Sequence, residues 1–339
     1  SAQQALVQGG LVPESGGEVQ LNPERFGVAV GTGIGGEPFL EQQHAKFLER
    51  GPGRFHPLTV PIVIANMASA NISIHYKLLG PNFCISTACA TGNHNIGAAF
   101  DAIRLGRADA MLAGGTEAVI TAFSLDGYSQ LRALSTRNDD PPGASRPFSA
   151  GRDGFVLAEG AGVLLLESLT HAKRRGAEIL AEIAGFGMTS DGYHLTAPHP
   201  DAMGAASAMR AAMADAKLNP EDVSYVNAHG TSTPLNDALE TKAIKAVFGA
   251  HAAKVPVSSI KSMIGHSLGA AAGLEGVACV LAIRDGVIPP TINLNEPDPE
   301  LDLDYVPNQA REVPLNAVLS NSFAFGGHNA VMAFKKFVG

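Results

Sequence analysis

Apolar positions along the chain fall into two periods that alternate. Short apolar runs at residues 26–30, 82–87, 108–112 and 162–166 read as buried strands. Between them, residues 60–76 carry the mixed apolar spacing of a buried helix, and 96–103 continue a helix that begins near Cys89. Residues 2–10 read as helix already under way. The rhythm then returns, with strands at 182–187, 223–228, 255–259, 317–322 and 330–337 and helices at 204–216, 240–248 and 268–284. Gly114-Gly115 reads as the stop of the strand before it. Strands alternating with helices predict an α/β protein with a mainly parallel sheet. The recurrence predicts two similar halves, residues 1–180 and 181–339, as after an internal duplication.

Composition narrows the class. Of 339 residues, 45% are hydrophobic and 17% charged, a balance that supplies a substantial core. No apolar run reaches the roughly 18 residues of a membrane span, and the first residues lack the regions of a signal peptide. Three cysteines, few and odd in number, argue against a disulfide framework and for a reducing, cytoplasmic compartment. The net charge of −8 argues against nucleic acid as a partner.

Candidate chemistry gathers where strands end. Cys89 stands where a buried strand becomes a helix, and the positive end of a helix favours a thiolate. Ala88, Ala90 and Gly92 leave room for a substrate to approach. Position alone leaves nucleophile and packing residue both open, whereas Cys84 and Cys279 read as packing. His229 and the stretch from Lys261 to His266 also follow strands, at the edge where parallel sheets collect ligand sites. His94, His171 and His251 read as surface or supporting residues. The stretch Phe323-Ala324-Phe325-Gly326-Gly327 offers either backbone N–H groups and an aromatic gate for a substrate, or an ordinary hairpin turn. Gly31-Thr32-Gly33-Ile34-Gly35-Gly36 matches G-x-G-x-x-G in form. Where a dinucleotide site needs an acidic strand, the chain has the turn around Gly51-Pro52-Gly53, which argues against that reading. No metal-ligand spacing and no P-loop is present.

Four ordered motifs then carry a resemblance. Ser86-Thr87-Ala88-Cys89-Ala90-Thr91, Asn227-Ala228-His229-Gly230-Thr231-Ser232-Thr233-Pro234, Lys261-Ser262-Met263-Ile264-Gly265-His266 and Asn321-Ser322-Phe323-Ala324-Phe325-Gly326-Gly327 closely resemble the elongating β-ketoacyl-acyl-carrier-protein synthases. Ser135-Thr136-Arg137-Asn138, Ser145-Arg146-Pro147-Phe148 and Asp153-Gly154-Phe155-Val156 are similar to that family as well.

The resemblance implies a thiolase-like fold of two similar halves in five α-β-α-β-α layers. It implies a homodimer that takes acyl and malonyl thioesters from acyl carrier protein and needs no organic cofactor. Cys89 would carry the acyl group, with its own N–H and that of Phe325 as the oxyanion hole. His229 and His266 would assist malonyl decarboxylation and stabilise the enolate, and Lys261 would balance local charge and orient the pair. Thr231 and Thr233 would bond the pantetheine arm, Ile34 would lie at the acyl pocket, where its size limits the chain accepted, and Phe323 would also bind substrate. Glu275 would be a structural or cation-associated acid, and Arg132 would lie on the carrier-docking side.

Family members open with a β-strand and helical region ahead of the helix at residues 2–10, so the resemblance predicts a sheet missing a central strand beside residues 26–30, its place left as a gap or filled by another polypeptide. Ala324 and His328 stand where many relatives carry glycine and threonine. Related condensing enzymes fit less well. Initiating synthases replace the second histidine with asparagine, thiolases need a cysteine beyond Cys279, and chain-length factors lack the nucleophile. Polyketide ketosynthases share Cys-His-His but tend to differ around the cysteine.

Overall fold

The apolar run at residues 26–30 becomes β1 (Phe26–Gly31), buried along its whole length. It pairs in parallel with β2 (Asn82–Phe83) on one side and with β3 (Ala110–Glu117) on the other; β4 (Gly160–Glu167) adds antiparallel to β3. The computed structural model describes residues 1–339, and these divide into two compact units. The first consists of residues 1–128, 158–177 and 267–274, the second of 129–157, 178–266 and 275–339, so the division is not a single cut.

Helices accompany the first sheet in chain order: α1 (Ala2–Gln8), α2 (Glu37–Arg50), α3 (Thr59–Val63), α4 (Met67–Tyr76), α5 (Thr91–Arg104), α6 (Ala122–Gln130) and α7 (Leu169–Arg174). Leu6 of α1 packs with Phe26, Val28 and Val30 of β1, Leu112 of β3 and Val163 of β4 in one buried cluster. Burial of each such side chain contributes about 1.5–3 kcal/mol.

The structure corrects three local readings. β3 does not stop at Gly114-Gly115 but runs on to Glu117. A Cβ on Gly114 would lie 2.0 Å from the Gly162 carbonyl oxygen, and one on Gly115 would lie 2.1 Å from that of Gly269. These glycines admit close backbone neighbours instead of ending the strand. The apolar stretch 60–76 is two helices, because Ile64 turns extended after α3, and Val60, Ile62 and Ile74 are exposed. The strand read at 82–87 pairs over two residues only, and the rest is extended chain leading into a turn.

The second unit holds β5 (Glu182–Ser190), β6 (Tyr225–Asn227), β7 (Val257–Ser258), β10 (Ala317–Ala324) and β11 (His328–Lys335) in the order β5-β11-β10-β6-β7. A separate ribbon joins β8 (Val287–Ile288) and β9 (Arg311–Glu312). Its helices are α8 (Met203–Asp215), α9 (Pro234–Phe248), α10 (Lys261–Ile264) and α11 (Ala271–Asp285), the last of which starts within the first unit. Gly185 and Gly187 of β5 let α8 lie directly on the sheet: a Cβ at either would come within 2.4 Å of an α8 carbonyl oxygen.

Comparison of the two sheets makes the duplication legible. Read as β7-β6-β10-β11-β5, the second matches β2-β1-β3-β4 strand for strand in order and in parallel or antiparallel sense. Only β5 has no counterpart, and its place is an edge. The gap expected beside β1 is therefore not found. Both interior strands of the first sheet, β1 and β3, are paired on both sides from the chain's own residues. No helix is long and apolar enough to cross a membrane.

Candidate active site

In the first unit, the chain leaves β2 extended and turns at Ala88–Ala90 into α5, which places Cys89 at the helix start. Ala88 sits in the left-handed region at φ 49°, strain of the kind that collects at functional turns. Side chains from the first turns of α5 hold this approach. The Thr91 hydroxyl accepts the Thr87 N–H at 2.9 Å, and Asn95 bonds both the N–H and the carbonyl of Ile85 at 3.0 and 2.8 Å. His94 is buried, contrary to a surface role, with its Nδ1 2.8 Å from the Thr87 hydroxyl. Cys89 itself is buried, 8% exposed. Burial pushes the thiols of Cys84 and Cys279 up, away from the reactive thiolate, which supports their reading as packing residues.

The glycine-rich loop after β1 is closed against this turn. The Ser86 hydroxyl donates to the Gly33 carbonyl at 3.1 Å. Gly33 and Ile34 give their N–H groups to the Glu117 carboxylate at 2.8 and 3.3 Å, and the Thr32 hydroxyl donates to it as well. Donors that would cradle a phosphate in a nucleotide site are thus already occupied. Ile34 leaves its side chain partly exposed.

In the second unit, β6 delivers His229 and the chain after β7 delivers α10. Lys261 opens α10 and is 1% exposed. Its ammonium donates to the His229 carbonyl at 2.7 Å, to Glu275 of α11, and to the His229 Nδ1 at 3.4 Å. Lysine has three donors and no acceptor, so Nδ1 accepts and the neutral ring carries its proton on Nε2. Glu240 of α9 fixes the same loop from beneath, accepting the N–H groups of His229 and Gly230 at 2.8 Å each. Burial pushes the Glu240 carboxyl up to about 7 against the pull of these donors.

His266 follows α10, and its N–H bonds the Val156 carbonyl at 2.7 Å. Its ring stands edge-on to His229, centroids 5.4 Å apart, and to Phe155 at 5.1 Å. Burial, together with the Lys261 charge, holds both imidazoles well below their ordinary range. They are neutral hydrogen-bond donors at pH 7. Burial raises the Glu275 carboxyl while Lys261 pulls it down, and its Oε2 has no partner.

Phe323, at the end of β10, lies 6.0 Å from the His229 ring. The turn Phe325–Gly327 joins β10 to β11, with Gly326 and Gly327 at φ 84° and 73°. Gly326 donates to the Leu195 carbonyl at 2.7 Å, and Gly327 accepts from the Asp191 N–H at 2.9 Å, so the hairpin is held by the 190s loop. The Thr231 and Thr233 hydroxyls bond each other at 2.9 Å, and Thr233 also caps α9. Arg132 is exposed, at φ 53°. The structure thus brings His229, Lys261, His266, Glu275 and Phe323 together in the second unit, and the loops of Cys89 and Ile34 together in the first. Sequence reasoning missed Glu117 and Glu240. The signal for Glu117 was an acid closing an otherwise apolar strand.

A model described as the N-terminal domain of β-ketoacyl synthase matches residues 1–172, and one described as its C-terminal domain matches residues 180–295. The chain belongs to the β-ketoacyl synthase family. It is 53% identical over 337 residues to the 3-oxoacyl-[acyl-carrier-protein] synthase 2 of Synechocystis, covering 99% of this chain and 80% of that protein. The corresponding Coxiella burnetii protein is 54% identical over 336 residues, with the same coverage. Among solved structures, a β-ketoacyl synthase from Burkholderia phymatum superposes with a TM-score of 0.91 at 38% identity, covering 99% of this chain and 81% of that one. A type II polyketide ketosynthase, solved with its acyl-carrier protein, gives 0.93 at 38% identity over 99% of this chain and 83% of that one. The fold is the thiolase-like α/β fold of the ketosynthases.

Proposed function

We propose that this chain is an elongating 3-oxoacyl-acyl-carrier-protein synthase that condenses an acyl group held on Cys89 with malonyl-acyl-carrier protein. The Cys89 thiolate attacks the acyl thioester carbonyl, the tetrahedral adduct collapses, and the carrier leaves as a thiolate that takes a proton from solvent. The N–H groups of Cys89 and Phe325 are assigned the transient oxyanion. Malonyl thioester then loses CO2, and donors from His229 and His266 stabilise the enolate at its thioester oxygen. The enolate carbon attacks the acyl carbonyl and expels the Cys89 thiolate, leaving a chain two carbons longer on the carrier. The observation that carries this reading is the neutral histidine pair, with the His229 proton fixed on Nε2 by Lys261. An enolate oxygen needs donors, and a neutral Nε2–H is one.

Greater identity to the proteins named 3-oxoacyl-[acyl-carrier-protein] synthase 2 than to the polyketide ketosynthase, 53–54% against 38%, supports the fatty-acyl reading. Thr231 and Thr233 are assigned the pantetheine arm, Ile34 and Phe323 the acyl chain, and Arg132 the carrier surface. A cation bound at this centre would take Glu275 Oε2, the carboxylate oxygen without a partner. This reading includes a homodimer, and three free thiols support a cytoplasmic setting.

Brief iodoacetamide treatment should alkylate Cys89 well ahead of Cys84 and Cys279, as read by peptide mass spectrometry. Prior incubation with acyl-carrier thioester should protect Cys89 alone. Equal labelling of the three thiols would remove the nucleophile assignment, and with it the proposed reaction.

A further inference from the structure

Glu117 ends β3, and only 2% of its surface is exposed. A carboxylate has about four lone-pair sites, and four donors meet this one. The Thr32 hydroxyl and Ile34 N–H reach Oε1, while the N–H groups of Gly33 and Gly269 reach Oε2, the latter at 3.0 Å. Thr32 in turn accepts the Gly35 N–H at 3.0 Å, so the loop is tied at each residue from 32 to 35.

The backbone around the carboxylate has no slack. A Cβ on Gly269 would lie 2.4 Å from the Gly33 nitrogen, and one on Gly33 would lie 2.8 Å from Glu117 Oε2. At the far end of the loop, Gly36 donates to the Val63 carbonyl at 3.0 Å. What the loop leaves free is the Ile34 side chain. Its four donors offset the desolvation that burying this carboxylate costs, and they hold the loop to it.

We propose that Glu117 is the positioning residue for acyl-length selection: its carboxylate pins the backbone of Ile34, so that this side chain meets the acyl chain as a fixed stop. The inference rests on the reading above that Ile34 contacts the acyl group. An isoleucine on an untethered loop would yield to an extra methylene. On a loop tied at four consecutive residues, the added length must be absorbed by overpacking instead.

Glu117→Gln keeps the shape but turns an NH2 group toward backbone donors, which frees part of the loop. Cys89 acylation by hexanoyl- and tetradecanoyl-carrier protein, followed by intact mass, reads the effect as a ratio of rates. Ile34→Phe is measured beside it, and should depress tetradecanoyl loading while hexanoyl loading persists. Glu117→Gln should raise the long-to-short ratio roughly tenfold, in the range that one methylene commands in an apolar pocket. Alkylation of Cys89 by iodoacetamide should stay at the wild-type rate.

If Ile34→Phe shifts the ratio and folded Glu117→Gln does not, the proposal falls and the pocket assignment stands. If Ile34→Phe leaves the ratio unchanged, the pocket assignment falls and takes the proposal with it. An equal loss of both loadings and of alkylation would mark Glu117 as merely structural, again overturning the proposal. Should Glu117→Gln fail to fold, Gly33→Ala displaces the same carboxylate with its Cβ and is held to the same ratio.

Discussion

His266→Ala should lower condensation by about 10²–10⁴-fold while Cys89 still takes up an acyl group, the loss that a hydrogen-bonding or acid–base group typically produces. Acyl transfer to a thiolate passes through an oxyanion assigned to backbone donors, so it does not require the imidazole. Decarboxylation is different, because it leaves charge on an oxygen that must be met by donors in a dry site. His266 is buried and neutral, and its main chain is fixed independently through the Val156 carbonyl at 2.7 Å. Truncation therefore removes the donor and leaves the loop. Intact mass after incubation with acyl-carrier protein reads the first half-reaction, and product formation from malonyl-carrier protein reads the second. A variant that condenses at the wild-type rate would make His266 a packing residue. One that loses both halves equally would contradict the division of labour.

The chemistry was legible in the sequence where it depended on chain position. Cys89, His229, Lys261 and His266 each follow a strand, and in α/β folds that edge is where reactive groups gather. Motif order then gave the family. Glu117 and Glu240 were not legible, because their partners are backbone N–H groups. Gly33 lies 84 positions from Glu117, and His229 lies 11 from Glu240. A side chain that bonds a distant backbone leaves no residue-type signature at the other end. Gly114 and Gly115 misled for a related reason. In one sequence a glycine that ends a strand and a glycine that admits a neighbouring backbone look alike, and only the 2.0 and 2.1 Å approaches separate them. The predicted gap failed on topology. The rhythm of strands shows how many there are but not their order, and the place matched by β5 in the second sheet proved to be an edge.

Lys261→Met should destabilise the fold by about 3–5 kcal/mol, the usual cost of removing one partner from a buried ion pair. Lys261 and Glu275 are each 1% exposed, and the Lys261 ammonium donates to Glu275 Oε1. Without the ammonium, nothing opposes the effect of burial on Glu275, and its carboxyl rises further above the ordinary range. The sign of the pH dependence follows from linkage. An acid whose folded pKa lies above its unfolded value contributes fully below about 4.5 and loses that contribution as pH rises through the folded pKa. The deficit of the variant should therefore shrink toward pH 5 and be largest at alkaline pH. The histidines act in the same direction, since both lose a cation that was holding them low and resist protonation less. Adding Glu275→Gln removes the stranded charge and should return most of the lost stability at pH 8. Condensation should stay low in the double variant, because the donor that fixed the His229 proton on Nε2 is still missing. Urea melts of the wild type and the two variants at pH 5 and 8, paired with condensation rates, test both halves of the argument. A single variant as stable as the wild type would mean that the pair carries no net stability, whereas restored condensation in the double variant would mean that Lys261 does not set the His229 tautomer.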